Sequence, residues 1–214
     1  MLQDTKVLQS IQAQHTANIL NRKKTIELRK NKPKLEVPFK VYLYCTKNKV
    51  LFLDEETYKT HKFPAIAGEK SFQGKVVGEY ICDEIYTYTY SQEDPSPLQL
   101  FCGDFYEYNI PFEHIKQMCL TMEEIEDYGK GKTLYGWHIS NLVIYDEPKE
   151  LGDFGAVCKA YDGKNANESH CTDCENKYGV SPCCYINGKW CLPIKRAPQS
   201  WMFTQGFYTK GIWW

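Results

Sequence analysis

No run of this 214-residue chain approaches the ~18 consecutive apolar residues that a membrane-crossing helix requires, so no membrane partner is expected. The opening Met1-Leu2-Gln3-Asp4 lacks the charged-then-apolar order of an export signal, and the expected location is therefore the cytoplasm. Internal repeats and low-complexity tracts are missing as well, which sets aside repeat architectures and biased linkers. The sequence also lacks an obvious pair of metal-binding carboxylates or histidines, so a metal-dependent nuclease finds no support. Charge of one sign is not in excess, with a formal net charge of −1.

Hydrophobic residues at 43% and charged residues at 25% are in the range of a folded globular chain. An aromatic share of 14%, with 16 Tyr, favours strands. The length fits one domain with elaborations rather than two independent cores. The near-neutral total conceals an asymmetry: residues 1–50 hold eleven Lys/Arg against three Asp/Glu, and residues 79–127 hold twelve acids against the single base Lys116.

Along the chain, Val7 to Ile11 reads as a short strand and Gln14 to Leu20 as a short helix ending near Asn21. Lys24 to Arg29 alternates with period two, which puts Ile26 and Leu28 on a core face and Thr25, Glu27 and Arg29 on the other. Pro33 and Pro38 bracket a turn before a β-rich segment, Phe39 to Cys45. Residues 47–72 read as an irregular connection, and Lys75 to Cys82 as a strand that Ile85 to Tyr90 extends or follows. Residues 91–111 read as an inserted loop, and Thr121 with Glu124 as a capping box. Leu134 to Tyr145 is a strand candidate, a short helical turn is expected around Glu150 and Leu151, and a last strand near Ser200 to Phe203.

Several of these segments, in order, resemble the phage-associated branch of the ASCH family, within the PUA-like superfamily. They are the first strand with Ser10, then Asn21-Arg22-Lys23-Lys24-Thr25-Ile26-Glu27-Leu28-Arg29-Lys30 and Pro38-Phe39-Lys40-Val41-Tyr42-Leu43-Tyr44-Cys45-Thr46-Lys47. Gly74-Lys75-Val76-Val77-Gly78, Tyr135-Gly136-Trp137-His138-Ile139-Ser140 and Ala197-Pro198-Gln199-Ser200-Trp201 continue the set. The resemblance implies an α+β fold: a PUA-like small mixed β-barrel with short flanking helices, in one domain over residues 1–214. An acidic aromatic insertion at about 84–114 and a Cys-rich one at about 158–191 would elaborate it. It also implies a cleft whose mouth carries the Lys24 to Arg29 strand, and binding of RNA or a nucleotide.

Thr25, Glu27 and Arg29 on one strand face present a hydroxyl, a carboxylate and a guanidinium at steps of about 7 Å, with Lys24 and Lys30 at the ends. A carboxylate can read the amino edge of a base while Arg and Lys hold phosphate. The alternative is a solvated strand face on which Glu27 and Arg29 merely pair. Trp137, His138 and Trp201 are candidates to stack on a base, or else core residues and, for His138, an ordinary hydrogen-bonded strand residue, and Ser10 and Ser200 belong to the same candidate binding set. Some small relatives are amidohydrolases of acylated cytidine, with a Lys and, three positions on, a Thr nucleophile. Lys24 matches the Lys, but Glu27 stands at the nucleophile position and offers no hydroxyl.

Cys171-x-x-Cys174 with Cys183, Cys184 and Cys191 has the spacing of a structural zinc site. Cys171, Cys174, Cys191 and one of Cys183 or Cys184 form the expected ligand set, and unligated thiols are the alternative. Tyr86, Tyr88 and Tyr90 share one face within the acidic stretch, which suits a folded-over insertion, a surface for a basic partner such as a host or defence protein, or a region resembling nucleic acid in charge. The leading expectation is a non-enzymatic RNA- or nucleotide-binding protein. An inhibitor acting through the acidic insertion and a hydrolase of modified nucleosides are the rivals.

Overall fold

The computed structural model describes residues 5–47, 72–90, 98–102, 105–107, 110–158, 184–186 and 189–207. In chain order the first elements are β1 (Lys6–Ile11), α1 (Ala13–Leu20), β2 (Ile26–Arg29), β3 (Phe39–Cys45), β4 (Lys75–Cys82) and β5 (Ile85–Tyr90). There follow β6 (Leu98–Cys102), β7 (Phe105–Glu107), α2 (Phe112–Met118), α3 (Met122–Gly129), β8 (Leu134–His138) and β9 (Ser140–Glu150). A 3₁₀ turn, Leu151–Asp153, precedes β10 (Phe154–Val157), β11 (Cys184–Ile186), β12 (Lys189–Pro193), β13 (Trp201–Thr204) and β14 (Gly206–Phe207).

These strands form three sheets, ordered β13-β1-β3-β4-β9, β2-β8-β5-β6-β7 and β11-β12-β10-β14. In the first, β1 and β3 run parallel, joined by the crossover that carries α1 and β2, and every other pairing is antiparallel. Its central strand β3 is buried on both faces. Phe39, Val41, Leu43 and Cys45 pack toward α1, Tyr80 and Trp137, whereas Tyr42 and Tyr44 pack with Leu8, Val76, Phe154 and Ile194. Two-sided cover of this kind favours the apolar, β-branched and aromatic run found there.

The expected closed barrel is not what forms. Each sheet has two open ends, and none closes on itself among the described residues. The segment expected as one strand from Leu134 to Tyr145 is divided at Ile139: β8 belongs to the second sheet and β9 to the first. Just past the break Asn141 takes a left-handed φ of 48°, and the Ile139 amide is drawn to Thr25 O at 2.8 Å. Edge strand β2 forms its ladder with β8 alone, so the space between it and β1 is bridged by side chains rather than by backbone pairing.

The second sheet corrects one further expectation. Part of the stretch read as a loop, residues 91–111, forms β6 and β7, with β6 in register against β5 from Thr87↔Phe101 to Tyr90↔Leu98. On the Tyr86, Tyr88, Tyr90 face Tyr88 is fully buried in a core with Ile26, Met118, Ile125 and Leu134, and the half-buried Tyr86 and Tyr90 pack against it. Helices α2 and α3 supply part of that core. Residues 48–71, most of the connection expected at 47–72, lie outside the described residues.

Candidate functional site

Strand β2 is stitched at its start to the end of α2. The Thr25 amide donates to Gln117 O at 2.9 Å, and the Lys24 ammonium donates to Met118 O at the helix C-terminus, where unpaired carbonyls and the helix dipole favour a cation. Both sides of β2 are buried. Ile26 and Leu28 enter the α2–α3 core, and on the polar side Lys24, Glu27 and Arg29 are only 2%, 6% and 8% exposed. The solvated strand face is therefore ruled out.

These three charges form one cluster. Glu27 Oε2 lies 3.4 Å from Lys24 Nζ and Glu27 Oε1 lies 3.0 Å from Arg29 Nη2. Arg29 Nη2 also donates to Ser10 O at 2.7 Å, and Nη1 reaches Ser200 Oγ at 3.5 Å, so Arg29 ties β2 to the first sheet. Burial pushes the Glu27 carboxyl up, but the opposing Lys24 and Arg29 charges outweigh it and hold the group below its ordinary range. Within this cluster two cations face one carboxylate, Glu124 adds a second carboxylate to the same walls, and burial lowers the His15 pKa.

The cluster forms one wall of a cleft of about 820 Å³. Ser10 and Ser200 stand beside Arg29, residues Gln12 to His15 of the α1 N-terminus form a second wall, and Leu120, Glu124 and Tyr128 a third. Several polar atoms in these walls are buried without a protein partner: Ser10 Oγ, His15 Nδ1 and Arg29 Nε. Unmet buried donors and acceptors cost about 1–3 kcal/mol each, and others, at Gln9, Thr25, Tyr90, Trp137 and Gln205, lie outside the cleft.

Of the expected binding residues, Ser10, Lys24, Glu27, Arg29 and Ser200 come together in this cleft. Thr25, Trp137 and Trp201 are not among its lining. Thr25 precedes β2 and turns its buried Oγ1 elsewhere. Trp137 is fully buried against Phe39, and Trp201 packs on Trp137 and Phe203 while its Nε1 donates to Asn31 Oδ1 at 2.7 Å. His138 pairs with Asp83 at 2.7 Å, as an ordinary hydrogen-bonded strand residue does. Sequence reasoning missed His15, Gln12, Gln14 and the α3 contributors. The one available signal was the short distance in sequence from Ser10 to the helix start.

The zinc expectation is also corrected: among the described residues no group of three or more His, Cys, Asp or Glu could hold a metal ion. Cys191 is buried in β12, in register with Cys184 on β11, and its thiol donates to Lys189 O at 3.5 Å. A thiol turned to the backbone of a paired hairpin is placed for packing rather than for shared ligation. Cys171, Cys174 and Cys183 lie outside the described residues. No described helix is long and apolar enough to cross a membrane.

No family model matches the sequence, and no curated protein does. Among solved structures the chain is similar to an ASCH protein from Zymomonas mobilis, at TM-score 0.45 and 11% identity over 94% of this chain and 88% of that one. Two single-residue variants of the Zymomonas mobilis protein give TM-scores of 0.41 and 0.43, with 11% and 10% identity. They cover 92% of this chain and 88% and 87% of theirs.

Proposed function

We propose that this chain is an ASCH-like binding protein of the phage-associated type, one domain over residues 1–214 with insertions at about 84–114 and 158–191. Its ligand is RNA or a nucleotide, held in the cleft beside β2. The observation that carries this is the buried Lys24–Glu27–Arg29 cluster facing an open cleft of about 820 Å³. A cluster serving stability alone would more cheaply be apolar, because desolvating three charges offsets most of their mutual attraction. The unpartnered Ser10, His15 and Arg29 atoms in the same walls point the same way. Binding without turnover suits the site, since Glu27 replaces the hydroxyl nucleophile of the hydrolase relatives and is held ionised between two cations.

Titration with single-stranded RNA and with nucleotides tests the reading. Arg29→Ala should weaken binding by roughly 1–3 kcal/mol, the range for a lost bidentate contact, while circular dichroism reports a retained fold. Unchanged affinity in a folded Arg29→Ala protein would remove the cleft from consideration.

A further inference from the structure

Both oxygens of Glu27 are already engaged, Oε2 by Lys24 at 3.4 Å and Oε1 by Arg29 at 3.0 Å. The carboxylate is thus occupied in balancing cations and is poorly placed to read the amino edge of a base. What the walls have left is mainly donor capacity. Ser10 is 5% exposed and Arg29 8%, and Ser10 Oγ and Arg29 Nε are buried without partners.

The N-terminus of α1 adds a second, independent feature. Gln12, Ala13, Gln14 and His15 line the cleft, no side chain caps the helix, and no acidic residue occupies its first turn. Backbone N–H groups in a first turn without a side-chain cap, with the positive end of the helix dipole behind them, form an anion site. Glu124 is the other carboxylate in the walls, and it accepts from the Thr121 amide at 2.8 Å in the cap of α3.

We propose that the end of the cleft between Ser10, Arg29 and the start of α1 takes a terminal phosphate, a phosphomonoester carried by a free nucleotide or by an RNA end. This rests on reading the cleft as the ligand site. A monoester offers three free oxygens and up to two negative charges, against two oxygens and one charge for a phosphodiester within a strand. The third oxygen answers the number of donors at this end of the cleft, where the first-turn amides of α1 stand with Ser10 and Arg29. Tyr128 of α3 and Leu120, just before that helix, supply the apolar surface for the nucleoside.

The full-length protein is titrated calorimetrically with the four ribonucleoside 5′-monophosphates, the matching nucleosides, and a decameric RNA with either a phosphate or a hydroxyl at its 5′ end. Inorganic phosphate serves as competitor. At least one phosphorylated member should bind tenfold or more tightly than its unphosphorylated counterpart, with phosphate competing. Preference within the RNA pair assigns the phosphate to an RNA end, and preference confined to the mononucleotides assigns it to a free nucleotide. Ser10→Ala, a small change that keeps the fold if Arg29→Ala does not, should reduce affinity for the preferred phosphorylated ligand several-fold and leave the unphosphorylated one unaffected. Equal affinity within every pair overturns the phosphate assignment while the cleft reading stands. Absence of binding by all of these ligands overturns both.

Discussion

Glu27 is the residue on which the tolerance of the cluster depends. Removing its charge leaves Lys24 and Arg29 buried and 2% and 8% exposed with no carboxylate between them. Breaking a buried ion pair from one side costs more than never having made it. Glu27→Gln should therefore destabilise the fold by about 3 kcal/mol in urea denaturation, and a loss below about 1 kcal/mol would show that cleft water screens the cations. The same group and His15 set the acid limb of stability. His15, facing Glu27, Lys24, Arg29 and Glu124, has its pKa lowered from 6.5 chiefly by burial, so the unfolded chain binds more protons below that pH and stability falls as pH drops through it. Glu27, lowered from 4.5, adds stability that is present above that value and lost only as pH falls through its folded pKa. Urea midpoints between pH 7.5 and 5 should decline for the wild-type chain and decline less for His15→Gln; parallel curves would relieve His15 of this role. Period-two alternation made Glu27 and Arg29 legible as one strand face, because that pattern is local. The burial of that face, the placement of His15 opposite it and the loss of Trp137 to the core are tertiary facts with no local signal.

At the scale of elements, the clearest local rule was the capping box. Thr121 Oγ1 accepts from the Glu124 amide at 3.2 Å while Glu124 Oε2 accepts from the Thr121 amide at 2.8 Å, opening α3 where the sequence pattern placed it. Thr121→Ala should cost about 1 kcal/mol, the usual worth of a side-chain cap, measured as a shift in denaturation midpoint. Because Glu124 and Tyr128 of α3 also line the cleft, a ligand-affinity loss with no stability loss would point instead to a displaced wall. Strands β3 and β4 were legible to the residue, being runs of β-branched and aromatic residues ended by turn formers. The division of the Leu134 to Tyr145 segment was not, since Ile139 and Asn141 carry no breaker signal strong enough to show that the two halves serve different sheets. Strands β6 and β7 were missed for a related reason: Asp, Pro and aromatic content reads as loop, whereas their ladder with β5 depends on a non-local partner.

For the whole molecule, the charge asymmetry of the sequence leaves a basic and an acidic region unless folding interleaves them, and the basic stretch 1–50 meets the acidic stretch 79–127 at Lys40 and Glu79. Lys40 pairs with Glu79, and Lys75 with Glu150 at 2.9 Å. Lys30 lies 4.7 Å over the Tyr128 ring of acidic α3 and Lys32 lies 5.3 Å over Tyr135, while Lys24 is sealed into the cleft wall. Lys24, Arg29, Lys30, Lys32 and Lys40 of the basic N-terminal stretch have partners within the fold, which leaves fewer of its cations for a track along which a nucleic-acid backbone could run. This predicts a shallow salt dependence. Each phosphate neutralised on a single strand contributes a slope of about −0.7 to log affinity against log salt, so a ligand gripped by one or two phosphates should give a slope of roughly −0.7 to −1.4. A strand tracked over five or more surface lysines would instead give about −3.5 or steeper. Binding of the RNA decamer measured from 50 to 400 mM potassium chloride separates the two. A steep slope that survives Arg29→Ala would place recognition on the outer surface of the molecule, and a shallow one abolished by that substitution places it in the cleft between the two open sheets.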